Sequence, residues 1–155
     1  MTSCAAGSTY SNVDSSATCR AVSSACGPGS YTTVAATASN DVECKPCDAG
    51  AFKSGTSSTL ATDRCTTWST CPVGQGRLST GSAIADRECQ GCTAGATFSN
   101  VNDGTACQDV SSPCGKGFRT TVAASASNDL TCAECGAGRF KASTSTTLAT
   151  DSCSA

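Results

Sequence analysis

The residues best suited to chemistry are cysteines, which occur three times in a Cys-x-x-Cys arrangement, at Cys44–Cys47, Cys89–Cys92 and Cys132–Cys135. Two such motifs brought together could supply the four thiolates of a structural zinc site. A single motif in a βαβ context could act as a redox centre. In a third interpretation, each motif is the seam between two disulfide-bonded modules. These interpretations require different elements around the cysteines, so the rest of the chain must decide between them.

The composition is typical of a disulfide scaffold made in an oxidising compartment. The chain has 14 cysteines in 155 residues, and the even number allows every cysteine to be paired. It has only one tryptophan, two tyrosines and four phenylalanines. A conventional domain of this length needs more apolar side chains to offset the conformational entropy of the chain. We therefore expect cross-links to provide the stability that a hydrophobic core would otherwise give.

Charge and residue types exclude several classes of function. The net charge of −2 and the lack of a basic patch argue against a nucleic-acid partner. No apolar run approaches the roughly 20 residues of a membrane span. Histidine is absent, so no Ser/His/Asp set exists, and the carboxylates are scattered. We predict a protein that is not an enzyme and that holds no cofactor or metal.

The N-terminal stretch MTSCAAGSTY has neither a basic start nor an apolar segment, and so does not resemble a signal peptide. A disulfide-rich chain must nevertheless be exported. We expect the sequence to be the mature part, or an excerpt, of a longer protein that is extracellular or lies at the cell surface.

An internal repeat dominates the sequence. A shift of 88 residues places six cysteines on six others, and 37 of 62 residues are then identical between Cys4–Cys65 and Cys92–Cys153. These two segments are called copy 1 and copy 2. A shorter unit, C-x(14–17)-C-x(5–6)-C-x17-C, lies within each copy. It predicts cysteine-rich repeats at residues 1–45, 46–90 and 91–133, followed by the first half of a fourth repeat at 134–155.

The predicted fold is small, disulfide-rich and mostly β or irregular, with short β-hairpins and little or no helix. The runs YTTV at 31–34 and FRTTV at 118–122 favour brief strands, while no segment has the periodicity of an amphipathic helix. Only two residues separate one repeat from the next. We therefore expect tandem modules stacked into an elongated rod rather than modules joined by flexible linkers.

Aromatic residues recur at one place in the repeat. Most long loops begin with a cysteine, small residues and a glycine, and then an aromatic residue, which is predicted to cover the disulfide and the adjoining turn. For Trp68, packing over the bridges of Cys65 and Cys71 is favoured over a role as a binding hot spot. The predicted disulfide-covering aromatic residues are Tyr10, Tyr31, Phe52, Trp68, Phe98, Phe118 and Phe140.

Aspartates recur near the closing cysteines of the loops, and are predicted to cap tight turns by accepting hydrogen bonds from nearby backbone N–H groups. The pair Asp103–Gly104 could belong to a calcium loop, but a turn is the favoured interpretation.

One stretch resembles the cysteine-rich repeats of the tumour necrosis factor receptor family. It has a Cys-x-x-Trp-x-x-Cys step at Cys65, Trp68 and Cys71, then a loop containing Gly81, and then Asp86 shortly before the closing cysteine. Ephrin-receptor-like cysteine-rich repeats would look similar. The family's repeats usually have six cysteines, whereas the repeats of this chain have four, so the second, crossed disulfide is missing.

The resemblance implies strictly sequential disulfides, and the cysteine spacing agrees with this pairing. The implied bridges are Cys4–Cys19, Cys26–Cys44, Cys47–Cys65, Cys71–Cys89, Cys92–Cys107, Cys114–Cys132 and Cys135–Cys153. Each Cys-x-x-Cys motif then joins two different bridges. A zinc site would leave the other eight cysteines unexplained, and nothing in the sequence supplies the βαβ context of a redox site.

Two classes of function fit these features. The first is an extracellular structural or adhesive protein, a rod, stalk or filament subunit that self-associates or contacts neighbouring copies of the repeat and carries O-linked glycans on Ser and Thr. Near-identical repeats and plain Ala/Ser/Thr loops favour it. The alternative, implied by the resemblance, is an ectodomain fragment of a receptor of that family that binds a protein ligand.

Overall fold

The computed structural model describes residues 3–13, 18–57, 63–145 and 149–155. These residues form short antiparallel β-hairpins joined by turns and irregular segments, and they contain no helix. The predicted fold class, disulfide-rich and mostly β or irregular with short hairpins, is confirmed. No helix in this part of the chain is long and apolar enough to cross a membrane. The strands are β1 Thr9–Tyr10, β2 Arg20–Ala21, β3 Ser30–Val34, β4 Glu43–Pro46, β5 Ala51–Phe52, β6 Thr66–Thr67, β7 Gln75–Arg77, β8 Cys89–Gly91, β9 Thr97–Phe98, β10 Gln108–Asp109, β11 Phe118–Val122 and β12 Thr131–Glu134.

Each strand pairs with its neighbour along the chain, so every sheet is two-stranded. The longest hairpins, β3–β4 and β11–β12, contain the Thr/Val runs that the sequence analysis assigned to strands. Thr32 lies opposite Cys44 in the first hairpin, and Thr120 lies opposite Cys132 in the second. In both hairpins the register shifts one step later, which is the mark of a β-bulge. The two hairpins therefore repeat the same local structure.

The chain falls into two compact units. Unit 1 comprises Met1–Trp68 together with Gly81–Asp86, and unit 2 comprises Ser69–Thr80 together with Arg87–Ala155. Copy 1 lies within unit 1, and copy 2 lies within unit 2. The boundaries predicted for the four cysteine-rich repeats, and their stacking into a rod, stay predictions.

All 14 cysteines are paired in seven disulfides, and none is free. The structure joins each cysteine to the next in the sequential order that the resemblance implies, with Cα–Cα distances between 5.5 and 5.8 Å. Since every thiol is in a bridge, no thiolate is left for a zinc site, and each Cys-x-x-Cys motif joins two different bridges.

A glycine fixes the seam at each Cys-x-x-Cys motif. The N–H of the second cysteine, Cys47 or Cys135, donates to the carbonyl of Gly29 or Gly117, at 2.8 and 2.9 Å. Each of these glycines lies three residues after the first cysteine of the preceding loop and has a φ near +75°. Because this left-handed conformation is unfavourable for residues with a Cβ, glycine is needed where one module ends and the next begins.

Few of the described side chains are buried, and the small cores are built on disulfides. In unit 1, the disulfide of Cys26 lies beside Thr32, whose hydroxyl donates to Cys26 Sγ at 3.2 Å. In unit 2, Thr120 donates to Cys114 Sγ at the same distance. Both threonines are at most 2 % exposed. The cross-links thus take the place of an apolar core, as the composition indicates.

Peptide mapping of the oxidised protein is expected to recover the seven sequential disulfide pairs. Its intact mass should be about 14 Da below that of the fully reduced chain, because each of the seven bridges removes two hydrogens. Crossed pairs, or thiols that react with an alkylating agent before reduction, would contradict the pairing.

Candidate functional site

The described residues contain no group of three or more potential metal ligands. Asp103, the residue considered for calcium, instead forms a turn, because its Oδ1 accepts both the N–H and the hydroxyl of Thr105, each at 2.7 Å. These hydrogen bonds lower the pKa of Asp103. The favoured interpretation of Asp103–Gly104 as a turn agrees with this geometry.

The aspartates near the closing cysteines make longer connections than the predicted turn caps. Asp41 accepts the N–H of the next residue, Val42, but it also accepts the N–H and hydroxyl of Ser23 at 2.8 and 2.6 Å. In copy 2, Asp129 binds Ser111 in the same way. Each aspartate therefore ties its loop to a residue 18 positions earlier in the chain. The sequence pattern indicates the local bond to the next residue but not the bond to the earlier serine.

Lys53 is the centre of a polar cluster in the described part of unit 1. Its Nζ donates to the carbonyls of Cys26 and Ser30, at 3.0 and 2.7 Å, and to the hydroxyl of Ser57 at 2.8 Å. It also forms a salt bridge with Asp63, whose carboxylate accepts the N–H of Thr32. The Lys53 side chain is only 12 % exposed and that of Asp63 is 22 % exposed. This cluster joins the third disulfide loop to hairpin β3–β4.

Copy 2 repeats this ion pair. Lys141 forms a salt bridge with Asp151, and the hydroxyl of Ser145 donates to the same carboxylate at 2.6 Å. The N–H of Thr120 donates to the other oxygen of Asp151. The signal that could have revealed the clusters is their recurrence at the 88-residue shift. The clusters were not predicted, because the sequence pattern around these aspartates indicates only local turn caps.

The hydrogen bonds of these clusters favour the ionised carboxylates. Those from Lys141, Ser145 and Thr120 lower the pKa of Asp151 to about 2. For Asp63, burial acts in the opposite direction, but the hydrogen bonds from Lys53, Ser57 and Thr32 together hold its pKa well below the usual range. Both aspartates are therefore ionised partners of a lysine at neutral pH. Because each lysine is bound to its aspartate, neither cluster offers a free acid or base for catalysis.

The lowered pKa of Asp151 predicts that unit 2 becomes less stable at acidic pH. An aspartate in the unfolded chain has a pKa near 3.9. The stabilisation from Asp151 should therefore be fully present above about pH 5 and should be lost as the pH falls from about 4 towards 2. Hydrogen exchange at the Thr120 amide should be slower in the parent than in Asp151→Asn at pH 6, and the difference should shrink towards pH 2. A difference that stays constant between these pH values would contradict the assignment.

The indole of Trp68 packs against the backbone of Gly81. A Cβ placed on Gly81 would lie 2.9 Å from Trp68 Cε2, and Gly81 has a φ of +69°. The indole Nε1–H donates to the carbonyl of Ser82 at 3.1 Å. This geometry favours a packing role for Trp68, with Gly81 as a contact surface that the sequence analysis did not foresee.

The predicted disulfide-covering aromatic residues differ in exposure. Phe98 is buried, whereas Phe118 and Phe140 are 40 % and 58 % exposed. The other four, Tyr10, Tyr31, Phe52 and Trp68, are half-buried. A common covering role for all seven stays a prediction.

Unit 1 has a shallow depression of about 330 Å³ beside its lysine cluster. Its lining includes Phe52, Lys53, Asp63 and Arg64. Lys53 and Asp63 are already bound to each other, which leaves Arg64 as the charged group in the lining that the cluster does not use. The depression thus brings together no set of groups for acid–base or nucleophilic catalysis.

The two copies differ at seven of the eight positions in 14–21 and 102–109, and they differ again at one end of their long hairpins. The buried positions, the cysteines and the lysine clusters are nearly the same in both, but the residues around the first rungs of the hairpin change. In copy 2, six of the seven changed residues are exposed. The changed residues are Pro28, Ser30, Tyr31, Lys45, Pro46, Asp48 and Ala51 in copy 1, and Lys116, Phe118, Arg119, Ala133, Glu134, Gly136 and Arg139 in copy 2.

No known protein family matches the chain, and no curated protein matches its sequence. Among solved structures, the chain is similar to one in the crystal structure of a mouse RANKL–OPG complex, with 19 % identity and a TM-score of 0.39. That match covers 85 % of this chain and 90 % of the other. It is also similar to a chain of a human RANKL/OPG complex, with 20 % identity, a TM-score of 0.36, and coverage of 94 % and 82 % of the two chains.

Proposed function

We propose that this chain is an extracellular cysteine-rich repeat protein that binds a protein ligand through exposed residues of its hairpins. Seven disulfides indicate an oxidising compartment. The observation that carries the proposal is the contrast between a repeated frame and a variable, exposed hairpin end. A scaffold that keeps its cross-links and changes its surface can present different contacts from the same backbone.

Residue types at the changed positions support binding rather than spacing alone. Copy 2 has Phe118, Arg119 and Arg139 where copy 1 has Ser30, Tyr31 and Ala51. Exposed aromatic and arginine side chains are enriched at protein interfaces and supply much of their binding energy. A pure spacer gains nothing from an exposed phenylalanine.

A binding screen against an array of secreted and cell-surface proteins tests this function. We expect saturable binding of the oxidised chain to at least one protein. A variant with all seven changed positions of copy 2 converted to the copy 1 residues should keep its seven disulfides and lose that binding. Absence of saturable binding across the array, together with assembly of the chain into filaments, would contradict the proposal.

The second candidate function is the structural one, a rod, stalk or filament subunit that associates with neighbouring copies and carries O-linked glycans. It is favoured by the near identity of the repeats and by the many exposed serines and threonines. Some candidate glycan sites, at 58–62 and 146–148, lie outside the described residues. Electron microscopy over a range of concentrations tests it, since a filament subunit should form longer assemblies as the concentration rises.

A further inference from the structure

Three junctions along the chain join one disulfide loop to the next loop across a Cys-x-x-Cys motif. The same backbone hydrogen bond occurs in all three, because the N–H of a glycine in the first loop donates to a carbonyl of the second loop, at 2.8 or 2.9 Å. The side chains around this shared bond are of two kinds. The donor and acceptor residues are Gly29 and Lys53 in junction 1, Gly74 and Ser99 in junction 2, and Gly117 and Lys141 in junction 3.

Junctions 1 and 3 combine a lysine–aspartate pair with a buried aliphatic side chain. In junction 1, Lys53 binds Asp63, and the aspartate accepts the N–H of Thr32. Val42, two residues before the closing cysteine of the first loop, is buried. We call this arrangement the lysine type. Its members in junction 3 are Lys141, Asp151, Thr120 and Leu130.

Junction 2 has other residues at each of these places. Ser99, which accepts the shared hydrogen bond in place of a lysine, is buried. The N–H of Arg77 donates to the backbone carbonyl of Thr105 at 2.8 Å, where the lysine type has an N–H bound to an aspartate side chain. Arg87 stands two residues before the closing cysteine, at the place of the buried aliphatic residue. The second loop is also shorter, with a sequence separation of 15 instead of 18.

The guanidinium of Arg87 occupies the space next to Gly104. A Cβ on Gly104 would overlap this group, and the three described atoms nearest to such a Cβ all belong to Arg87. Arg87 Nη1 also donates to the carbonyl of Ser69 at 2.8 Å, which holds the guanidinium in place. Because the backbone of Gly104 is not left-handed, the guanidinium and not the local conformation requires a glycine here. We call this arrangement the arginine type.

The second loop of one type does not suit the first loop of the other. At the place of Gly104, three residues before the closing cysteine, lysine-type loops have a threonine, Thr62 or Thr150. If such a loop followed Arg87, the threonine Cβ would overlap the guanidinium. If residues 92–107 followed hairpin β3–β4, the two carbonyls that the lysine binds would lose their charged donor, because a serine stands in its place. Each mismatch therefore destabilises the contact between the loops.

We propose that the two junction types set the register of the repeats, so that each disulfide loop packs only against a following loop of its own type. Chains of similar repeats are prone to misassembly and swapping, and the order lysine, arginine, lysine excludes errors of one unit. The alternation also gives a physical reason for the 88-residue period, which spans two of the shorter units. This inference goes beyond the proposed function and does not depend on a ligand.

Exchange of whole loops in the full chain tests the register. One variant exchanges residues 47–65 with residues 135–153, which are both of the lysine type. The other exchanges residues 92–107 with residues 135–153, which are of unlike type. After reduction, unfolding and oxidative refolding, the first variant should recover the seven sequential disulfides in the yield of the parent, whereas the second should give at least about tenfold less of that species. A loss of yield in both variants, or in neither, would overturn the inference.

Substitutions within junction 2 test its chemistry without moving a loop. The N–H of Cys71 donates to the carbonyl of Asp103, next to Gly104, so hydrogen exchange at this amide reports on the contact. Gly104→Thr should speed that exchange at least about tenfold, because the guanidinium must leave its place and lose its hydrogen bond. Gly91→Thr is the matched control, since a Cβ there would meet no described atom within 4 Å, and it should leave the exchange unchanged.

A compensating change distinguishes the pair from a general effect of the threonine. The double variant Arg87→Leu with Gly104→Thr gives junction 2 the residue types of junction 3 at both places, Leu130 and Thr150. Its exchange at the Cys71 amide should return to within about threefold of that of Arg87→Leu alone, because the threonine then overlaps nothing. Equal exchange in Gly104→Thr and Gly91→Thr, or a double variant no slower than Gly104→Thr, would show that the two residues are not a matched pair.

Discussion

Replacing Lys53 with methionine is expected to lower the free energy of unfolding of unit 1 by about 3 kcal/mol. The change would leave the carboxylate of Asp63 without its cation and would remove the Nζ donor from the carbonyls of Cys26 and Ser30. Breaking a buried ion pair on one side is costly because the remaining charge is largely desolvated. The value stands at the low end of the usual range because the Asp63 side chain is 22 % exposed and water can reach it. Denaturant unfolding followed by Trp68 fluorescence measures the loss.

Lys45 provides the matched control for that measurement. It also pairs with an aspartate, Asp48, but the two side chains are 54 % and 78 % exposed and 3.7 Å apart. Lys45→Met should therefore change the free energy of unfolding by less than about 0.5 kcal/mol. Lys141→Met repeats the experiment in unit 2, with hydrogen exchange at the Thr120 amide as the measurement. If Lys53→Met were no more destabilising than Lys45→Met, the buried pair would have no special role in the fold.

The disulfide framework and the hairpins follow from local features of the sequence. The density and even number of cysteines indicate full pairing, and β-branched runs such as YTTV form strands because such residues suit an extended backbone. The sequential pairing came from the family resemblance, and the structure has the same pairs. These features could be predicted because each depends on residue type, or on spacing within one loop of about 18 residues.

The contacts between loops could not be predicted in this way. An aspartate near a closing cysteine shows a preference for accepting backbone N–H groups, but the sequence does not say which ones. Asp63 reaches Thr32, which lies 31 residues earlier, because the β3–β4 hairpin and the third disulfide loop fold against each other. The packing of Trp68 on Gly81 could not be predicted for the same reason, because it depends on how a later loop folds back against the indole.

The exposure of the aromatic residues shows a further limit of pattern-based prediction. Phe98 and Phe140 occupy similar places after a cysteine, yet one is buried and the other is 58 % exposed. Phe98 belongs to a loop that closes after 15 residues and Phe140 to a loop that closes after 18. The repeat pattern fixes where an aromatic residue occurs, whereas the neighbouring loops decide whether it is covered.

Removing the Cys26–Cys44 disulfide is expected to have the largest effect, a loss of about 4 kcal/mol in the free energy of unfolding of unit 1. The bridge closes a loop with a sequence separation of 18, for which the chain-entropy model gives about 3 kcal/mol. The buried hydroxyl of Thr32 also donates to Cys26 Sγ and would lose its acceptor, which adds about 1 kcal/mol. The variant is Cys26→Ala with Cys44→Ala, and its unfolding is followed by Trp68 fluorescence in denaturant.

Two comparisons separate the loop-closure contribution from the contribution of the Thr32 hydrogen bond. Adding Thr32→Val to the double variant removes the unpaired hydroxyl, and should recover about 1 kcal/mol. Replacing both Cys4 and Cys19 with alanine removes a bridge with a sequence separation of 15 and should cost only the loop-closure term, about 3 kcal/mol. Equal losses at the two bridges, with no recovery from Thr32→Val, would mean that the hydrogen bond to sulfur adds nothing. The stability of unit 1 would then depend on the cross-link alone.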